Sequence, residues 1–130
     1  MSDRLEISSG TKWEEIVGYA RAVRVGAHVA VTGTTAFGAD GELVGVGDPG
    51  AQTTQILHNI DRALEQAGVT RADVVRVRIY VTDIERDWEA IGRAHKAFFD
   101  GVRPATTMVQ ISGLVDPRML VEIEADAIAG

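Results

Sequence analysis

The chain has 130 residues, the length of one domain, and its 45% hydrophobic and 25% charged residues are ordinary globular composition. It contains no cysteine, which excludes disulfides, thiol nucleophiles and cysteine-held metals. With 13 Lys and Arg against 19 Asp and Glu the net charge is −6, and no basic run is present, so nucleic acid is a poor electrostatic partner.

No apolar stretch reaches the roughly 20 residues of a bilayer span. Residues 1–6 lack the basic and apolar regions of a signal peptide. These features predict a single domain over residues 1–130, placed in the cytoplasm and without a membrane partner. Residues 19–33 read as a hairpin. Tyr19, Arg21, Val23 and Val25 alternate with smaller or polar neighbours, Gly26-Ala27 turns the chain, and Val29 and Val31 share a face on the return. A glycine-rich connection follows over residues 38–50, with Leu43-Val44 as a short further strand. Over residues 51–67, Ile56, Leu57, Ile60, Ala63, Leu64 and Ala67 form one helical stripe that stops at Gly68. Residues 74–82 alternate as a half-buried strand. Asp87 is placed to cap a second helix carrying Trp88, Ile91, His95, Phe98 and Phe99. Two strands, 106–111 and 120–128, close the chain, the last with Val121, Ile123, Ala125 and Ala127 on one face. The order β-β-(β)-α-β-α-β-β predicts an α+β fold: one mixed, largely antiparallel sheet with two helices packed on one face. The other face is left for an oligomer that packs sheets together.

Several residue groups could carry chemistry. Gly45-Val46-Gly47-Asp48-Pro49-Gly50 matches G-x-G-x-x-G. However, Leu43-Val44 is a weak strand, Asp48 would repel a pyrophosphate, and Pro49 removes a backbone donor. A structural glycine loop is the better reading, and no cofactor is expected. Glu122, Glu124 and Asp126 share one strand face, either as a solvated acidic row or as a source of a cleft general base. Like charges that close together would raise at least one pKa. Tyr19 and Arg21, two apart, could grip a carboxylate, or could be a surface arginine packed on a ring. His28, His58 and His95 have no metal-ligand spacing, and no metal is expected. Ser112-Gly113 lacks the strand-to-helix setting of a nucleophile elbow.

The C-terminal third carries a family resemblance. Arg103-Pro104-Ala105-Thr106-Thr107-Met108-Val109, then Leu114, then Val121-Glu122-Ile123-Glu124-Ala125, resembles the signature of the RidA/YjgF family. Gly18-Tyr19 with Val25-Gly26, then Gln52, Asn59, Leu64 and Ala67-Gly68, then Val81-Thr82-Asp83 and Phe98-Phe99 resemble its other elements. The resemblance implies a chorismate-mutase-like α+β fold and a homotrimer with small-molecule clefts between subunits. It also implies hydrolysis of reactive enamines or imines, such as 2-aminoacrylate, to a 2-keto acid and ammonia. By position it implies a catalytic role for Glu122 and pocket roles for Tyr19, Thr32 and Gly33. Thr106 stands where the deaminase arginine would be, Met108 where a cysteine is frequent, and Gly92 where a pocket asparagine would be. An extra residue falls near Glu85-Arg86-Asp87. These departures mark an arginine-lacking subgroup. Arg21 becomes the candidate replacement cation, with Thr106 and Met108 lining the cleft. Two functions follow: a divergent deaminase-type hydrolase, or a non-catalytic trimer that binds a small metabolite. The nuclease label attached to some relatives fits poorly with a net charge of −6.

Overall fold

The computed structural model describes residues 3–130. In chain order the elements are β1 (Arg4–Ile7), α1 (Lys12–Val17), β2 (Ala22–Val25), β3 (His28–Thr34), α2 (Pro49–Gln66), β4 (Val74–Val81), α3 (Ile84–Phe99), β5 (Ala105–Gln110) and β6 (Val121–Ile128). The strands form one sheet in the order β1-β2-β3-β6-β4-β5, antiparallel throughout except for the parallel β4–β5 pair. The mixed α+β architecture matches the sequence expectation.

The core lies between one sheet face and the two long helices. Val29, Val77, Ile79, Val121 and Ile123 on the sheet meet Ile56, Leu57, Ile60 and Leu64 of α2, with Ile91 and Phe99 of α3. Alternation on β4 and β6 accounts for this directly. The apolar set enters the core, and the intervening Arg78, Tyr80, Glu122, Glu124 and Asp126 project from the opposite face. Among the described residues, neither α2 nor α3 packs on that second face.

The local chemistry of both helix starts is visible. Asp48 caps α2 by accepting from the Ala51 amide at 3.0 Å, and Pro49 opens the helix. The glycine motif is therefore a turn. Gly45 and Gly47 sit at φ +74° and +75°, and a Cβ on Gly45 would lie 2.9 Å from that of Ala51. Asp83, not Asp87, caps α3, accepting from the Arg86 amide at 3.2 Å. Asp87 lies inside the helix, 2% exposed and bridged twice by the Arg86 guanidinium. The helix thus begins a turn earlier than the apolar spacing indicates, because Ile84 fills its first position. Replacing Asp83 by alanine should cost about 1 kcal/mol, read as a lower urea midpoint with an unchanged slope.

β1 and α1 add two elements to the order read from the sequence. Two further expectations are corrected. Leu43 makes only an isolated bridge to Phe37, so the bracketed third strand is absent. Tyr19 and Arg21 precede β2, which begins at Ala22, so strand alternation does not govern where they point.

Candidate functional site

The three carboxylates of β6 project from one sheet face but have different surroundings. Tyr80, opposite Glu122 in register, sends its hydroxyl diagonally to Glu124, donating at 2.6 Å. That bond is the main reason the phenol titrates above its ordinary range. Arg78 pairs with Asp126 at 3.2 Å and with Glu124 at 3.6 Å. His28 approaches Asp126 at 3.6 Å. Glu124 and Asp126 are thus engaged in a chain of charged and hydroxyl contacts.

Glu122 is not. Among the described residues, no side chain or amide donates to its carboxylate. It is half-buried, and its pKa is raised, first by burial and then by the neighbouring Glu124, against a smaller lowering by Arg21. The carboxylate lies against Gly33. An ideal Cβ there would stand 3.0 Å from the Glu122 Cδ and 3.1 and 3.2 Å from its two oxygens. The β3–β6 register shifts between Val31 and Thr34, which places Thr32 and Gly33 in an irregularity beside this group. An unpaired, partly desolvated carboxyl next to bare backbone can exchange a proton with a bound molecule. Gly33→Ala should push the carboxylate aside by a few tenths of an ångström. The expected result is little change in thermal stability, because the Gly33 backbone is one that alanine can adopt.

Arg21 supports this arrangement from beneath. Its guanidinium donates to the Gly33 carbonyl at 3.0 Å, to the Thr34 hydroxyl at 3.3 Å and to the Ser9 hydroxyl at 3.3 Å. It pairs with Glu14 at 3.5 Å, both side chains being buried. Glu14 in turn accepts from the Ser8 and Thr11 hydroxyls at 2.9 and 3.0 Å, from the Ser9 amide and from the Ser9 hydroxyl. Burial pushes the Glu14 carboxyl up, but these donors outweigh it and hold the pKa below its usual value. Glu14 is a buried charge on a six-residue helix whose apolar Ile16 and Val17 face solvent.

The other sequence-predicted residues lie apart. Tyr19 and Thr32 line a concavity of 1170 Å³ on the open sheet face, together with Arg78, Glu124 and Asp126. The Tyr19 ring centre is 5.7 Å from the Arg21 guanidinium carbon, yet Arg21 lines a different cavity. Thr106 and Met108 are in register with Val77 and Ile79, so they point to the helix-covered side. Met108 packs against the core. Thr106 donates to the Pro104 carbonyl at 3.1 Å and lies 3.2 Å from His95 Nε2. Burial lowers the His95 pKa, and its ring rests on Phe99. Within one chain, Glu122 and Thr106 therefore occupy opposite faces of the sheet. Glu14, Ser9 and His95 were not singled out as site residues. The pattern Thr11-x-x-Glu14 was the available signal for the first of these.

No helix among the described residues is long and apolar enough to cross a membrane. No cluster of His, Asp or Glu among them could hold a metal ion.

Residues 10–129 match the family described as Endoribonuclease L-PSP. The fold is similar to the crystal structure of Rv2704 from Mycobacterium tuberculosis, a member of the YjgF/YER057c/UK114 family. Identity is 50% and the TM-score 0.88, covering 98% of this chain and all of that one. YyfA of Yersinia pestis, described as a conserved Rid-family protein of unknown function, is 30% identical at a TM-score of 0.86. The match covers 97% of this chain and 99% of that one. The uncharacterized protein SCO2049 of Streptomyces coelicolor is 44% identical over 124 residues, covering 95% of this chain and 91% of its own length. The chain thus belongs to the Endoribonuclease L-PSP family, which is the YjgF/Rid family, and this membership supports a small-molecule-related function.

Proposed function

We propose that this protein hydrolyses a small reactive imine or enamine at clefts shared between the chains of a homotrimer, with Glu122 as the proton-transfer group. The observation that carries the reading is the state of Glu122: half-buried, raised in pKa, and without a donor while its two neighbours on β6 are paired. A carboxyl so placed can give a proton in its neutral form and take one in its ionised form. As the acid it protonates an enamine carbon to give the iminium. As the base it takes a proton from water as the oxygen adds to the C=N carbon. The carbinolamine then collapses, with the proton returned to nitrogen, to a carbonyl compound and ammonia. One water is consumed, and no electron leaves or enters.

The shared cleft is supported by the separation of residues. Glu122, Gly33, Thr32 and Tyr19 are away from the helix-covered side where Thr106 and Met108 sit. A second chain can bring the two sets together, as rotational assembly of one surface against a different one does. Thr106 offers a hydroxyl there in place of a cation. Arg21 has a buried guanidinium with internal partners, so in this reading it positions Gly33 and biases Glu122. The net charge of −6 argues against a polyanionic substrate.

The missing carboxylate clamp favours a second reading, a trimer that binds a metabolite without turnover. The two separate in an assay that generates 2-aminoacrylate in place and follows keto-acid release. Acceleration by the intact protein that is lost in Glu122→Gln supports hydrolysis. Saturable binding of the keto acid with no acceleration supports the binding role.

A further inference from the structure

We infer that a second cavity, which Glu122 does not line, binds a small organic monoanion: a carboxylate carrying a short apolar tail. This cavity encloses 390 Å³ between the segment joining β1 to α1, the loop that follows β3 and the outward face of α2. Its size falls at the lower end of small-molecule pockets. This inference does not depend on imine hydrolysis.

The charge of the lining sets the sign of the ligand. Arg21 and Arg62 line the cavity, and no Asp or Glu does, in a chain whose acids outnumber its bases. The concavity on the open sheet face is the opposite, with Glu6, Glu14, Glu15, Glu124 and Asp126 against Arg4 and Arg78. Arg21 is neutralised by Glu14, so Arg62 supplies the uncompensated charge. One Arg62 N–H donates to Asn59 Oδ1 at 3.2 Å, and its remaining donors have no partner among the described residues. The Thr35 hydroxyl and the Gln66 amide, also in the lining, donate to no other described residue. A carboxylate can accept from such a set, with the guanidinium offering paired N–H groups.

The lining also includes the apolar side chains of Ile7, Phe37 and Ala63. One free cation among apolar side chains selects a monoanion with a tail over a phosphate dianion. The walls are fixed rather than loose. Asn59 Nδ2 donates to the Thr35 and Phe37 carbonyls at 3.2 and 2.8 Å, and Gln55 donates to Asn59 Oδ1 at 3.0 Å, which pins the loop to the helix. The loop backbone is thus held ready before any ligand arrives, which lowers the ordering cost of binding.

The test uses butyrate and inorganic phosphate as separate probes, titrated into the isotope-labelled full chain and followed by amide chemical shifts. Butyrate should shift residues 34–39 and 62–66 saturably. Arg62→Gln should weaken it about tenfold. Ala39→Leu, at an exposed lining position, should block it while leaving the rest of the spectrum in place. The proposal is overturned if butyrate causes no saturable shift, or if Arg62→Gln leaves its affinity unchanged. It is also overturned if phosphate saturates the site and butyrate does not, or if the shifts centre on Gly33 and Glu122.

Discussion

Glu122→Gln should lower hydrolysis of an imine generated in place by about 10²–10⁴-fold, the range for losing a positioned proton-transfer group. Glutamine keeps the shape of the side chain and its packing against Gly33, so the loss should appear in turnover more than in ligand affinity. The same substitution should stabilise the fold at neutral pH. Burial and the adjacent Glu124 raise the Glu122 pKa in the folded chain above its unfolded value. Between those two values the folded state binds more protons, so stability from this group is present at low pH and falls as pH rises through the raised pKa. Glutamine removes that penalty. Thermal melts should show Glu122→Gln above wild type at neutral pH, with the gap closing on acidification. Such a gain in stability at the expense of activity is expected where a site keeps an unfavourable charge for function.

Glu14→Ala should destabilise the chain by about 3–5 kcal/mol, the typical cost of stranding one partner of a buried ion pair. It leaves the Arg21 guanidinium buried without its counter-charge and removes the acceptor for Ser8, Ser9 and Thr11. Against total stabilities of about 5–15 kcal/mol, this is a large loss, measurable by urea unfolding. A double-mutant cycle with Arg21→Met isolates the pair, and the double variant should lose less than the two single losses added. The pH dependence runs opposite to that of Glu122. The Glu14 pKa is depressed in the folded state, so its contribution is present above the unfolded value and lost as pH falls through the folded one. Because Arg21 also holds the Gly33 carbonyl, the Glu14 lesion should disturb the surroundings of Glu122 as well.

The strands and long helices that build the core were legible because their side chains obey simple periods. β4, β6 and α2 each bury one regular set, and the pattern identifies both the element and its inward face. α1 has no such pattern. Its apolar Ile16 and Val17 are exposed and its buried residue is a glutamate, so periodicity carries the wrong information there. β1 is only four residues long and mostly exposed, and its place at the sheet edge comes from pairing with β2. The start of α3 was misplaced because Asp83 and Asp87 are both plausible caps, and only the backbone shows which side chain meets a free amide.

The site was partly legible for the same reason. Alternation put Glu122, Glu124 and Asp126 on one face, but it could not say which of them stays unpaired. Tyr80 and Arg78, which occupy the other two, arrive from β4 through a register that sequence does not state. The two-residue spacing of Tyr19 and Arg21 suggested a shared cleft. The chain is not yet a strand at those positions, and Arg21 turns toward Glu14 and Gly33.

In the proposed site, Glu122 of one chain works with the Thr106–Met108 edge of another. This pairing is tested most directly by mixing Glu122→Gln with Thr106→Trp, a substitution at an exposed position of β5, unfolding the two together and refolding them into mixed assemblies. If the site is shared, random assortment should restore about a quarter of the sites, and keto-acid release should reappear in the mixture although each variant alone is inactive. A mixture that assembles as the wild type does yet stays as inactive as its components would contradict a shared site.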